Sequence, residues 1–293
     1  MIIVRLVSGL GNQLFQYAIA REISLRNNID LKLDCSFFKG QSLRSYQLNN
    51  FNINASFATQ HDLAKFKKLR SSLSFKYKIL RKMEQFLPKY KRSIFFEDDL
   101  WLYDQNLARV NDNTYIDGYW QNQNYLSALH PQVLEELTLK NVGNSEYNHY
   151  LSLIKSKNAV SIHIRRGDYL TDAHASSTFG ILSLAYYHRA INHFHSRFSD
   201  SAFFIFSDDL AWAEEQFKIL ATFVKIENGQ QPSLELDLMS KCNHNIIANS
   251  SFSWWGAFLN PNPEKTVIMP KNWVQDENIN SKINLKLSNW IQL

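Results

Sequence analysis

The stretch AVSIHIRRGDY, residues Ala159–Tyr169, joins a run of small and β-branched residues to two arginines. The run predicts a buried strand over Ala159–Ile164, because β-branched side chains favour strands and only two polar residues interrupt it. Arg165 and Arg166 then lie at the carboxyl end of that strand, which is where open α/β sheets bind ligands. A planar guanidinium can hold a phosphate group through two parallel hydrogen bonds. A surface turn after an ordinary strand is the alternative, and this stretch alone does not decide between them.

Strands and helices alternate through the rest of the second half of the chain. The predicted strands are Ala202–Phe206, Thr222–Ile226, Asn245–Ala248 and Thr266–Met269, and the predicted helices are Ser183–Arg197, Trp212–Ile219, Ser233–Ser240 and Phe252–Leu259. This alternation predicts a parallel, doubly wound sheet.

The first half begins with a second unit of the same kind. The pattern predicts a strand at Ile2–Val7, a glycine loop at Ser8–Gln13, a helix at Leu14–Arg26 and further strands at Leu31–Asp34 and Tyr115–Trp120. The chain turns polar around Lys140–Ser156, so we place a domain boundary near residue 150. The expected fold is α/β, with two Rossmann-like domains, residues 1–150 and 151–293, facing a cleft.

Composition narrows the class of protein. A chain of 293 residues with 45% hydrophobic and 20% charged residues is typical of one large or two medium globular domains. Cys35 and Cys242 are far apart and match no metal-ligand spacing, which fits a reducing compartment. No signal-peptide pattern follows Met1, and no apolar run approaches the roughly 20 residues that span a bilayer. We therefore expect a soluble, cytoplasmic protein.

The basic charge is concentrated in one segment, Lys65–Arg92, which contains eleven Lys and Arg residues and one acid, Glu84. The whole chain carries +5 and this window +10, so the remainder carries −5. Apolar residues recur there every three or four positions, which predicts a single amphipathic helix that ends at Pro88. The helix could pack on its own domain or lie on an anionic membrane. Nucleic acid is not expected as a partner, because no stacking platform or binding motif accompanies the charge.

Polar clusters follow three of the predicted strands in the second half. Beyond the two arginines, these are Ser207-Asp208-Asp209 and Asn249-Ser250-Ser251-Phe252-Ser253. The second cluster places hydroxyls and backbone N–H groups at the start of a helix, which suits an anion. Arginine with a serine-lined helix start can grip a diphosphate without a metal. Asp208 and Asp209 could still hold a divalent cation, or could cap the neighbouring elements.

Three blocks together resemble the signature blocks of bacterial α-1,2-fucosyltransferases, which form glycosyltransferase family 11. They are Gly9-Leu10-Gly11-Asn12-Gln13 with Phe15-Gln16-Tyr17-Ala18, then His163–Tyr169, then Asn249–Ala257. They occur in the order of the family and extend from residue 8 to about residue 260. The resemblance implies a GT-B fold, GDP-β-L-fucose as donor, inversion at the anomeric centre, and no metal or other cofactor.

The resemblance also implies roles for individual residues. Arg165 is expected to bind the β-phosphate, where negative charge grows as the glycosidic bond breaks. Arg166 and Asp168 are expected to support the motif as an ion pair that sets the loop. His163 is expected to contact the guanine, and a core histidine is the alternative.

Further donor contacts follow from the same resemblance. Related fucosyltransferases place a carboxylate that accepts from guanine N–H groups in the helix before the third block. That position points to Glu235, with Asp237 as the alternative. The other implied contacts are Ser250, Ser251 and Phe252 of the third block and Asn12 and Gln13 of the first.

The proton acceptor and the glycan acceptor are less defined. The attacking hydroxyl must lose its proton, and Asp172, soon after Asp168, is the candidate base. A loose, oxocarbenium-like transition state that needs little help from a base is the alternative.

The expected acceptor is a galactose-terminated oligosaccharide of a surface polysaccharide such as O-antigen, which would bring the enzyme to the inner face of the cytoplasmic membrane. Positions that could face a sugar are Tyr46, Trp120, Gln121 and Trp255, although core packing explains the tryptophans equally well. A transferase using another nucleotide sugar, or a binding module without catalysis, stays open.

Overall fold

The computed structural model describes residues 1–71, 74–140, 144–217, 221–226 and 232–293, without the side chains of Arg81 and Asp168. The chain divides into two compact units, Met1–Thr138 and Leu139–Leu293. Among the described residues, no helix is both long enough and apolar enough to cross a bilayer.

The first unit is a parallel five-stranded sheet with helices. Its strands are β1 Ile2–Arg5, β2 Leu31–Asp34, β3 Ser56–Phe57, β4 Ile94–Phe96 and β5 Thr114–Asp117. Its α-helices are α1 Leu10–Asn27, α2 Gln60–Ser71, α3 Phe75–Gln85 and α4 Pro131–Glu136. The strand order is β3-β2-β1-β5-β4. The central strand β1 is fully buried over its apolar residues, as expected for a strand covered on both faces.

The second unit is a parallel six-stranded sheet. Its strands are β6 Asn158–Ile164, β7 Ser201–Ser207, β8 Ala221–Phe223, β9 His244–Ile246, β10 Val267–Met269 and β11 Ile291–Gln292. Its α-helices are α5 Ser145–Lys155, α6 Gly167–Thr171, α7 Ala173–Phe179, α8 Leu184–Arg197, α9 Leu210–Phe217, α10 Pro232–Lys241, α11 Ser251–Phe258 and α12 Glu277–Asn280. The order is β11-β10-β9-β6-β7-β8, so the strand predicted first, β6, lies near the centre.

Three boundaries differ from the sequence-based expectation. The division falls between Thr138 and Leu139 rather than near residue 150, because α5 packs against α10 and β6 of the second unit. Helix α1 begins at Leu10, so the expected glycine loop is partly its first turn. The single helix expected within Lys65–Arg92 is two helices, α2 and α3, separated by a serine-containing connection of which residues 72–73 lie outside the described part. Ser74 is the N-cap of α3 with a non-helical ψ of 136°, and serine favours this position over a helix interior.

Candidate functional site

The topology of the second unit defines a crevice. From β6 the chain proceeds through β7 to β8 on one side, whereas β9, β10 and β11 lie on the other. Strands β6 and β9 are paired directly, so the order reverses between them. Ligands of open α/β sheets bind at such a switch point, beyond the carboxyl ends of the strands. The segments that follow these two strands contain Arg165–Asp168 and Asn249–Ser251.

Arg165 is held by a carboxylate from the next strand. Its Nη1 lies 2.8 Å from Oδ2 of Asp208, which follows β7, and its side chain is 23% exposed. The other oxygen of Asp208 accepts a hydrogen bond from the backbone N–H of Arg166 at 2.8 Å. Asp208 therefore fixes both the loop after β6 and the guanidinium that the sequence assigned to the phosphate.

Arg166 has partners other than those expected. Its Nε lies 3.1 Å from Oδ2 of Asp209, and its guanidinium stacks 3.9 Å from the ring centre of Trp212 on α9. The side chain of Asp168 lies outside the described part of the chain, so its expected ion pair with Arg166 stays a prediction. Since both Asp208 and Asp209 pair with arginines, the carboxylates that could have held a cation are already engaged by positive charge.

Gly167 lies against the carboxylate of Asp208. A Cβ atom added at Gly167 would lie 2.8 Å from Oδ2 of Asp208 and 3.1 Å from its carboxyl carbon. Because real Cβ atoms do not approach other atoms so closely, a larger residue would displace the carboxylate that holds Arg165. Glycine therefore lets the loop after β6 approach the Asp208 carboxylate closely.

His163 is buried on β6, with 3% of its surface exposed. Burial, assisted by the positive charge of Arg165, lowers its pKa to about 3, so the ring is neutral at physiological pH. Its ring centre lies 5.4 Å from that of Phe252 on α11, and its Nδ1 has no hydrogen-bond partner among the described residues. A neutral imidazole with an unused nitrogen fits either a contact near a ligand or a core position.

The start of α11 is built as the sequence predicted. Ser250 is its N-cap, and its Oγ accepts from the backbone N–H of Phe252 at 3.3 Å. Ser250, Ser251 and Phe252 are half-buried, so they are accessible to a small ligand. The positive end of the helix dipole favours an anion at this point.

Asn249, which the sequence analysis did not select as a site residue, anchors the start of α11. Its Nδ2 donates to the carbonyls of Phe179 at 2.9 Å and Trp273 at 3.2 Å. The hydroxyl of Tyr169 donates to the backbone carbonyl of Asn249 at 3.0 Å. These bonds tie the segment after β9 to α6 and α7, which follow the two arginines.

The two carboxylates considered on α10 have different environments. Asp237 accepts from the hydroxyl of Tyr147 at 2.7 Å and pairs with Lys241 at 3.3 Å, so it ties α10 to α5. Burial, followed by the negative charge of Asp208, raises the pKa of Glu235 to about 7. Helix α10 packs against α11, whose start lies at the crevice, and the negative charge of Asp208 acts on Glu235; together these favour Glu235 as the ligand-binding carboxylate.

Asp172 is the N-cap of α7. Its Oδ1 accepts from the backbone N–H groups of His174 at 2.8 Å and Ala175 at 3.1 Å. The residue is exposed. The structure therefore gives this expected base a role in starting a helix.

The first unit also reverses its strand order, between β1 and β5. Asn12 connects the two segments that follow these strands: its Nδ2 donates to Oγ of Ser8 at 2.8 Å, and its Oδ1 accepts from Gln121 at 2.6 Å. Ser8 and Trp120 have positive φ angles of 67° and 59°. Such backbone conformations are unusual outside glycine and occur often at binding sites.

The remaining expected contacts of the first unit are mainly structural. Gln13 is fully buried; its Nε2 donates to the carbonyls of Ser8 and Ser45, both at 2.9 Å. Trp120 and, in the second unit, Trp255 have no exposed surface, which agrees with core packing. Tyr46 is half-buried, with its ring edge to face against Phe57.

Asp208 could have been selected from the sequence by one geometric argument. It follows β7 as Arg165 follows β6, and adjacent parallel strands bring the residues after their carboxyl ends together. The role of Asn249 depends on loops distant in sequence, and no local pattern indicates it.

Comparison with known proteins gives a consistent result. A family model described as glycosyl transferase family 11 matches residues 1–293. An alpha-1,2-colitosyltransferase of Escherichia coli is 32% identical over 285 residues, covering 96% of this chain and 95% of the relative. The O-antigen biosynthesis glycosyltransferase WbnK of Escherichia coli is 31% identical over 304 residues, covering 98% of this chain and 99% of the relative. A galactoside 2-alpha-L-fucosyltransferase, Sec1 of Mus musculus, is 28% identical over 150 residues, covering 48% and 41%.

Solved structures share the fold. A mutant of Arabidopsis thaliana FUT1 in complex with GDP superposes with a TM-score of 0.52 at 12% identity, covering 94% of this chain and 72% of the other. The fucosyltransferase NodZ from Bradyrhizobium gives 0.50 at 13% identity, covering 89% and 92%. The expected fold class, α/β of the GT-B type with two Rossmann-like units, is confirmed.

Proposed function

The chain belongs to glycosyl transferase family 11, and we propose that it is an inverting galactoside α-1,2-fucosyltransferase. It moves L-fucose from GDP-β-L-fucose to the 2-hydroxyl of a galactose-type residue in a surface glycan such as O-antigen. The observation that carries the proposal is the crevice between β6 and β9, which combines Arg165, the start of α11 and the nearby Glu235. The names of the colitosyltransferase and of the mouse fucosyltransferase support the α-1,2 linkage, and the name of WbnK supports O-antigen as the class of product.

The reaction transfers charge to the nucleotide. The bond between the anomeric carbon of fucose and a β-phosphate oxygen breaks, and that oxygen keeps the electron pair. The acceptor oxygen forms the new bond from the opposite face and loses its proton. We assign Arg165 to the β-phosphate, because its guanidinium is already oriented by Asp208 and needs little reorganisation as the charge develops. Ser250 and Ser251 supply hydroxyl and backbone donors to the same diphosphate.

The guanine is assigned to Glu235 and His163. An ionised Glu235 accepts from two N–H groups of the base, and these bonds offset the desolvation that raises its pKa. Neutral His163, whose ring lies beside that of Phe252, offers its unpartnered Nδ1 to the base. Arg166 positions the loop through Asp209 and Trp212, without contacting the phosphate itself.

We propose that transfer needs no metal, because Arg165 and the helix start supply the positive charge that a diphosphate leaving group requires. Asp172 stays the candidate base, because both cap bonds use Oδ1 and leave Oδ2 outside them. Asp172→Asn separates the two roles, since asparagine caps helices as well as aspartate does but cannot take a proton. Loss of transfer with an unchanged unfolding temperature would support Asp172 as the base. Near-normal transfer would leave Asp172 only its role as a helix cap.

The acceptor side is assigned to the first unit. The cluster of Ser8, Asn12 and Gln121 presents fixed amide and hydroxyl groups at the β1–β5 switch point, which suits the hydroxyls of a sugar. A glycan assembled on a lipid would bring the enzyme to the cytoplasmic face of a membrane. We propose peripheral attachment there through Lys65–Arg92, and no contact with nucleic acid.

Calorimetry with GDP, UDP and GDP-mannose tests the donor class. We expect binding of both guanosine nucleotides and none of UDP; tight UDP binding without GDP binding would overturn the assignment.

Transfer from GDP-fucose to a panel of galactosides tests catalysis. Arg165→Ala should reduce kcat by roughly 10²-fold or more while the unfolding temperature is unchanged, by analogy with the loss of one transition-state donor. Near-normal turnover would remove the phosphate role.

A second donor is favoured by one specific observation, the 32% identity to an alpha-1,2-colitosyltransferase over nearly the whole chain. Colitose and fucose differ at a single hydroxyl group, so the same crevice could accept either. Competition between GDP-fucose and GDP-colitose, measured as a ratio of kcat/KM, distinguishes the two functions.

A further inference from the structure

Helix α3 has two faces of different character. Tyr77, Leu80 and Glu84 are half-buried, and Glu84 accepts from the backbone N–H of Ser93 at 3.3 Å. The opposite face, continued just beyond the helix, is an apolar stripe spaced by four, four and three positions, which places its members side by side. We call it the outer stripe, and it consists of Phe75 (78% exposed), Ile79 (43%), Met83 (61%) and Phe86 (85%).

The neighbouring helix α2 shows the ordinary arrangement. Its apolar residues Leu63, Phe66 and Leu69 are buried, and Leu63 and Phe66 pack with Ile3 and Tyr115 of the sheet. No residue described in α3 is buried in this way. Exposed large hydrophobic residues that lie next to one another on one helix indicate a surface that binds something.

The charges beside the outer stripe identify the occupant. Lys76 and Lys82 are exposed and border the stripe on its two sides, and Lys78 is exposed nearby. Long lysine side chains can place their methylene groups along an apolar layer and their ammonium groups among anionic headgroups. A second copy of this chain would bring these lysines against one another in a symmetric contact. A nucleic acid would leave the apolar stripe in water.

We infer that the outer stripe inserts into the surface of an anionic phospholipid bilayer. The 11-residue helix is far shorter than the roughly 20 residues needed to cross the hydrocarbon layer, so it lies in the plane of the interface. The inference makes the proposed membrane attachment specific: α3 is the inserted element, whereas α2 belongs to the fold of the first unit. The inference rests on the proposed function in one respect, namely that the acceptor glycan is linked to a lipid.

Co-sedimentation of the full chain with lipid vesicles tests the inference without any substrate. We expect binding to phosphatidylcholine vesicles that contain phosphatidylglycerol, and much weaker binding to phosphatidylcholine alone. Phe75→Ser with Phe86→Ser should weaken binding by at least about tenfold, because two large apolar side chains no longer leave water. Lys76→Glu with Lys82→Glu should remove the preference for phosphatidylglycerol. Leu134→Ser is the control, because Leu134 is 40% exposed on α4, outside the basic segment.

Three results would overturn the inference: no binding of the unaltered protein, serine variants that bind like it, or a dimer in light scattering that the serine substitutions dissociate. Transfer to a soluble galactoside is measured in parallel and should be equal in all of these proteins. If vesicle binding follows the expected pattern but neither the unaltered protein nor any variant transfers fucose, the proposed function is wrong and the inference that the outer stripe binds the bilayer is still supported.

Discussion

At the scale of single residues, Asp208 connects the groups that the proposed reaction needs. It pairs with Arg165, accepts from the backbone of Arg166, and contributes to the raised pKa of Glu235. Arg165, assigned to the phosphate, and Glu235, assigned to the guanine, are therefore both influenced by the charge of Asp208. Changes at one of these positions should be felt at the others.

The pKa of Glu235, about 7, predicts a pH dependence of donor binding. Protonation removes the acceptor that the guanine N–H groups need, so affinity for GDP-fucose should fall as the pH is lowered through that value. GDP-fucose is the suitable ligand because its diphosphate diester does not titrate in this range. Titration calorimetry across the range should show the decline, and Glu235→Gln should bind more weakly and without the pH dependence.

The stability of Glu235→Gln provides the control. A carboxyl with a raised pKa in the folded state destabilises the protein progressively as the pH rises from its ordinary value of 4.5 to about 7. The glutamine variant should therefore unfold at a temperature at least as high as that of the unaltered protein above pH 7. A lower unfolding temperature would attribute weak binding to damaged folding, and binding equal to that of the unaltered protein would exclude Glu235 from the site.

Gly167→Ala should impair donor binding without unfolding the chain. The added Cβ would lie 2.8 Å from Oδ2 of Asp208, so the carboxylate must shift, which disturbs its pairing with Arg165. We expect kcat/KM for GDP-fucose to fall by roughly tenfold or more, since displacement of a charged group by about 1 Å is costly in a preorganised site. Unchanged kinetics would mean that the position of Asp208 is unimportant.

The sequence predicted some of these residues and not others, for a physical reason. Arg165 follows β6 directly and Ser250 lies a few residues after β9, so the alternating pattern placed both at the edge of the sheet. The pairing of Arg166 with Asp209, after the neighbouring strand, was not predicted, whereas the expected partner Asp168 has a side chain outside the described part. Pairings across a parallel sheet depend on strand order, which a single sequence does not state.

At the scale of elements, a buried ion pair holds α1 to α4. Arg21 donates to both carboxylate oxygens of Glu136, with its Nη2 at 2.8 Å, and Tyr17 donates to the same carboxylate. The side chains of Arg21 and Glu136 are 9% and 8% exposed. Removal of one partner leaves the other charge buried without compensation.

Glu136→Ala should therefore lower the free energy of unfolding by about 3–5 kcal/mol, as expected for breaking a buried pair. Urea denaturation followed by tryptophan fluorescence measures the change. Asp98→Ala is the matched control, because Asp98 pairs with Lys89 but is 78% exposed, and it should change stability little. Equal effects of both substitutions would contradict the importance of burial.

Elements were predictable where their apolar pattern was long. Strand β6 and helix α8 closely match the predicted ranges. The three residues of β4 and the two of β3 are too short to show a period, so the sequence gives no signal for them. The break between α2 and α3 was missed because the apolar spacing continues across it, although the two helices direct their apolar residues differently.

At the scale of the whole molecule, each of the two units reverses its strand order next to the strand that begins it, β1 or β6. Each unit thus has a crevice of its own, lined by Arg165 and Ser250 in one and by Asn12 and Gln121 in the other. The crevice of the second unit presents Arg165 beside Asp208, whereas that of the first unit combines the amides of Asn12 and Gln121 with the Arg5–Asp117 ion pair at the ends of β1 and β5. The arginine and the start of α11 suit a nucleotide diphosphate, and the amides suit the hydroxyls of a sugar.

Chelation tests the proposed metal independence of the complete enzyme. If Arg165 and the start of α11 supply the charge for the leaving group, transfer should proceed at the same rate after dialysis against EDTA. Initial rates with and without added Mg²⁺ or Mn²⁺ are the measurement. A loss of activity that either ion restores would show that the protein charges are insufficient.

The contact between Arg165 and Asp208 also bears on what happens after the chemistry. A guanidinium that already has a counter-ion attracts a free phosphate less strongly than a bare one, because the two charges largely cancel at a distance. GDP leaves with more negative charge than the donor brought, and Asp208 repels that excess while offering Arg165 a partner to return to. The aspartate that orients the arginine for bond breaking should thereby also hasten the departure of the spent nucleotide and keep turnover free of product inhibition.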